Sequence, residues 1–106
     1  MMRLKYKDQA ESVLKKVMGN PEFEKHKNEL DMFISVVWFD YLSDITKSPR
    51  VVRNRVRKIV SVRKDPVFDR AMVVDWLVAE MNLKRTTAEA RMAVRESSIA
   101  YDEQER

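Results

Sequence analysis

Residues 48–64 read SPRVVRNRVRKIVSVRK. Whether this stretch is helix or strand decides the fold, because two periodicities coexist in it. At 100° per residue, Val52, Val56, Ile59 and Val60 share one face. Arg50, Arg53, Asn54, Arg57, Lys58, Ser61 and Lys64 take the other, which is the pattern of an amphipathic helix. Arg55 and Arg63 fall in the apolar half and interrupt it. At 180° per residue, Val52, Val56, Val60 and Val62 have one parity while Arg53, Arg55, Arg57 and Arg63 have the other, as in a half-buried strand.

The flanks favour helix. Ser48-Pro49 is an N-cap followed by proline at the first helical position, where the missing N–H costs nothing. Asn20-Pro21 and Asp65-Pro66 repeat the device. The 106 residues hold one Gly and three Pro, too few turn residues for a sandwich or barrel of short strands. The expectation is one all-α domain of about five helices.

The first helix is expected from Leu4 to Met18. Tyr6, Ala10, Val13, Leu14 and Val17 form its apolar stripe, and Gly19 stands where a left-handed residue closes helices. A second helix is expected from Pro21 to Ile45. Its first half is charged and its second half, from Met32, is apolar almost all round. Such a helix is central to the core or lies in an interface, so Phe33, Val37, Trp38, Phe39 and Tyr41 are candidates for a homodimer seam as well as for the core. A buried strand over Phe33–Phe39 is the alternative. The third helix starts at Ser48-Pro49. The fourth runs from Pro66 to Met81 and ends at Asn82. The fifth runs from Thr87 to Ala100, with Thr86-Thr87-Ala88-Glu89 as a capping box. The tail 101–106 is acidic and expected to fray.

Hydrophobic residues make up 44% and charged residues 36%, a globular balance. There is no Cys, which excludes disulfides and thiolate metal sites and fits a reducing compartment, the cytoplasm. The most apolar run, Met32 to Leu42, is shorter than the ~20 residues of a membrane span. The single His, His26, lies among charged residues with no partner nearby in sequence. Asp40 and Asp44 share a helix face without further oxygen ligands, and one Gly precludes a phosphate-cradling loop. No acid–base or nucleophile constellation is visible, so no enzyme, metal or cofactor is expected.

Charge is regional. Residues 1–48 carry eight basic and eight acidic residues, residues 49–95 carry twelve and five, and residues 96–106 carry one and four. The chain therefore divides into a neutral half expected to supply core and dimer surface, a basic half and an acidic tail. Seven bases lie within Arg50–Lys64 with no acid among them. Such a face either pairs with acids elsewhere in the fold or contacts phosphates, where Lys and Arg gain affinity by releasing counterions. Residues 71–98 form a possible helix-turn-helix. Its turn lacks the usual Gly, and Arg91 occupies an anchor position normally apolar. In that unit Lys84, Arg85 and Thr87 are expected at phosphates, and Arg91 and Arg95 at base edges. With Arg50, Arg53, Arg57, Lys58 and Lys64, these residues suggest double-stranded DNA as the partner of a small homodimeric regulator of transcription or replication. The alternative is an adaptor or inhibitor whose basic face docks on an acidic protein or blocks a nucleic-acid channel.

Overall fold

The computed structural model describes residues 2–63 and 67–105, with the backbone alone for residues 2–6, 102, 103 and 105. Its six helices are α1 (Met2–Val17), α2 (Pro21–Glu24), α3 (Lys27–Ile45), α4 (Pro49–Ile59), α5 (Arg70–Glu80) and α6 (Arg85–Glu105). No strand occurs among the described residues, so both strand alternatives give way to helix.

The centre is α3. It buries Leu30, Met32, Phe33, Ile34, Ser35, Val36, Val37, Phe39 and Leu42, on all sides of its axis, because α1, α4, α5 and α6 each pack against it. This corrects part of the expected dimer seam. Phe33 and Val37 are 0% and 1% exposed within a single chain. Phe33 meets Trp76 of α5 edge-on, with ring centroids 6.0 Å apart. Trp38 and Tyr41 are half-buried and stack edge-on at 5.8 Å.

The single helix expected over 21–45 is broken. Asn20 caps α2 by accepting from the Glu22 amide at 3.0 Å. Phe23 then packs edge-on against Trp76 at 5.0 Å, and the Glu24 carboxylate accepts from the Gly19 amide at 3.1 Å. These contacts hold one turn against the end of α1, and the chain must bend at Lys25-His26 before α3 can enter the core. Gly19 has φ +80°, the left-handed conformation expected of it.

Ser48 caps α4 as expected, accepting from the Val51 amide at 3.4 Å. The helix ends at Ile59, so Ser61 of the expected polar face lies beyond it. Val60 is extended, and Val60 and Val62 both pack against the core. The period-2 pattern is thus real over 60–62, as an extended connection and not as a strand. Lys64 and the Asp65-Pro66 start lie outside the described residues.

Helix α5 starts at Arg70 instead of Pro66. Asp69 is its N-cap, accepting from the Met72 amide at 3.2 Å. The approach is fixed from α3: the Asp69 amide donates to Glu29 at 2.7 Å, and the Asn28 side chain donates to the Val67 carbonyl at 2.9 Å. Asn82, at φ +55°, follows α5 as expected. The capping box at Thr86 does not form. Helix α6 is already under way at Arg85, with the Ala88 amide on the Lys84 carbonyl at 2.9 Å, and Glu89 reaches Arg70 instead at 2.6 Å. The helix continues to Glu105, beyond the Ala100 limit expected for it.

Candidate nucleic-acid interface

Helix α4 packs on α3 through a narrow apolar face and also touches α6. Val52 and Val56, one turn apart, are its buried residues. They join Phe39 and Leu42 of α3 in a small satellite core, with Trp38, Tyr41 and Val60 at its edge. Every other position of the helix is wholly or partly at the surface. Opposite the valines, Arg50, Asn54 and Lys58 form an exposed strip at i, i+4 and i+8. Arg57 lies at its edge, donating to the Asn54 side-chain oxygen at 3.0 Å.

Arg53, one turn before Arg57 on the same side of the helix, is half-buried, and its guanidinium lies 4.6 Å over the ring of Tyr101 near the end of α6. That geometry is a cation–π contact, which leaves Arg53 less able to reach a phosphate than Arg50 or Lys58. Arg55 and Arg63 are exposed. The sequence wheel put both in the apolar half. The buried arc of α4 proves narrow, with two valines in it, so Arg55 clears its edge, and Arg63 stands beyond the helix altogether.

The α5–α6 hairpin exists, but its charges are arranged otherwise than expected. Lys84 is exposed. Arg85 is exposed and paired with Asp75 at 3.0 Å. Thr87 is half-buried. Arg91 turns toward α3 and pairs with Asp40 at 2.7 Å. Arg95 is 5% exposed; its Nε donates to the Ser35 hydroxyl at 3.3 Å, and its guanidinium lies 5.2 Å from the Phe39 ring centroid. Of the two residues expected at base edges, Arg95 is buried and Arg91 is half-buried in an ion pair with α3. The cause is the stripe Ala88, Met92, Arg95, Ile99, all buried, which docks α6 on the body of the fold.

A further base, Arg70, ties α5 to α6. Its guanidinium meets Glu96 at 3.0 Å and Glu89 at 2.6 Å. The hydrogen bonds to Glu96 and then Glu89 hold the guanidinium above its ordinary pKa.

His26 is half-buried with its ring 6.3 Å from that of Trp76. Asp40 is engaged with Arg91, and among the described residues no cluster of three or more His, Cys, Asp or Glu could hold a metal ion. No helix among the described residues is long and apolar enough to cross a membrane. No protein-family model matches the chain, and neither the curated proteins nor the solved structures contain a significant match to it.

Proposed function

We propose that this chain is a small, non-enzymatic DNA-binding protein that grips the phosphate backbone of the duplex through α4, in the service of transcription or replication control. The observation that carries this reading is the Arg50–Asn54–Lys58 strip. It is exposed, it lies on the face of α4 opposite the two buried valines, and no acid occurs from Ile45 to Lys64. Two cations and an amide at helical spacing along a rigid rod suit successive phosphate oxygens, and their affinity derives from counterion release. With Arg95 buried and Arg91 paired with Asp40, base-edge readers on α6 are not part of the proposal. Binding is expected to follow duplex shape and charge more than sequence.

The test is the double variant Arg50→Ala/Lys58→Ala in fluorescence-anisotropy titrations of labelled duplexes. Removing two phosphate contacts is expected to lower the slope of log affinity against log salt by about 2, alike for unrelated sequences. An unchanged slope would exclude α4 as the phosphate-contacting surface.

A further inference from the structure

Beside the basic strip, α4 carries a second exposed line that phosphate contact leaves without a role. Val51, Arg55 and Ile59 stand at i, i+4 and i+8, and the two aliphatic residues are 38% and 46% exposed. Single exposed aliphatics are ordinary. Two that bracket a cation on one helix face form the pattern of a helix that enters a groove.

The chain also contains such a groove. Helix α1 and Trp38 of α3 border an open depression of about 740 Å³. Leu14, Trp38 and Met18, the last 54% exposed, supply its apolar lining. Asp8, Glu11 and Lys15 stand on its α1 wall, so its described lining carries two acids and one base. No ion pair among the described residues engages Asp8, Glu11 or Arg55. Trp38 packs on the satellite core beneath α4 as well as lining the groove, so groove and helix are neighbours on one side of the molecule.

We propose that this groove receives the Val51–Arg55–Ile59 flank of α4 from a second copy of the chain, with Arg55 set against Asp8 and Glu11. A second copy is the occupant because one chain carries both complements, two aliphatics around a cation and an apolar lining beside two carboxylates. Their adjacency lets each copy offer its α4 to the other's groove, the reciprocal contact of a two-fold dimer. The apolar contacts supply attraction, and the Arg55 pairing fixes register and orientation. The pairing leaves Arg50, Asn54 and Lys58 on the outer arc, so it does not depend on DNA binding and is tested without DNA.

Sedimentation equilibrium of the full chain over a wide concentration range reads the dimer directly. Arg55→Glu and Glu11→Arg, each a surface change, are each expected to raise the dimer dissociation constant on the order of tenfold by setting like charges together. The double variant Arg55→Glu/Glu11→Arg is expected to return to near the wild-type constant, with circular dichroism confirming that all three remain helical. A monomer at every concentration overturns the proposal and leaves the groove to a basic amphipathic segment of another protein. A dimer indifferent to both single reversals, or a double variant as weak as the two changes combined, overturns it equally.

Discussion

Phe33→Ala is expected to cost about 3–5 kcal/mol of stability, because it removes a fully buried aromatic ring from a packed interior and leaves a cavity. A domain of this size has about 5–15 kcal/mol in total, so the variant should approach the limit of folding. The ring is 0% exposed and edge-on to Trp76, which is itself in contact with Phe23. One substitution thus loosens α2, α3 and α5 together. Urea unfolding followed by circular dichroism gives the loss as a shift in midpoint at an unchanged m-value. The measurement should be repeated at several protein concentrations. If Phe33 belonged to a dimer seam, its loss would appear mainly as concentration dependence, with the monomer left folded. A stable variant with a weakened dimer would refute the intrachain placement.

Arg95→Ala is expected to cost about 2–4 kcal/mol, from the lost volume of the side chain and the lost hydrogen bond from a charged donor. Arg95 reaches Ser35, which is 0% exposed and whose own hydroxyl donates to the Met32 carbonyl at 2.8 Å. The guanidinium therefore links α6 to the centre of α3 through a buried polar chain. Arg95→Met keeps most of the volume and should recover part of the loss, which separates packing from hydrogen bonding. An Arg95 that read DNA bases would behave differently: Arg95→Ala would leave the unfolding midpoint in place and relax sequence preference. That outcome would contradict the buried arrangement.

Much of this architecture is written in local signals. Asn20-Pro21 and Ser48-Pro49 open helices, and Gly19 and Asn82 follow their ends, because each device acts through atoms within a turn of itself. The apolar surround of α3 likewise announces a central helix. What escaped is decided by distant partners. The bend at Lys25-His26 depends on Trp76, about fifty residues on, and the start of α5 at Arg70 depends on Glu29. Thr86-Glu89 is a valid capping box locally, but Arg70 claims the Glu89 carboxylate and the helix begins at Arg85, ahead of the expected Thr87.

The candidate site divides the same way. The basic face of α4 is legible because a charge run without acids needs no tertiary information to be recognised. The inward turn of Arg95 could have been found from spacing alone. Ala88, Met92, Arg95 and Ile99 stand at i, i+4, i+7 and i+11, a core stripe with an arginine in it. The pairing of Arg91 with Asp40 has no such signal, since it joins helices about fifty residues apart in sequence. Helical spacing from Thr87 placed Arg91 and Arg95 at base edges; burial engages Arg95 and the Asp40 ion pair engages Arg91.

The most direct test of the DNA-binding proposal is equilibrium binding of the unmodified chain to labelled duplexes of unrelated sequence across a salt series, by fluorescence anisotropy. The expected result is measurable affinity at low salt, similar for all duplexes, with log affinity falling linearly against log salt at a slope of about −2 to −4 per α4 engaged. Absence of binding at the lowest salt, or binding that salt leaves unchanged, would contradict it and direct the basic face to an acidic protein instead.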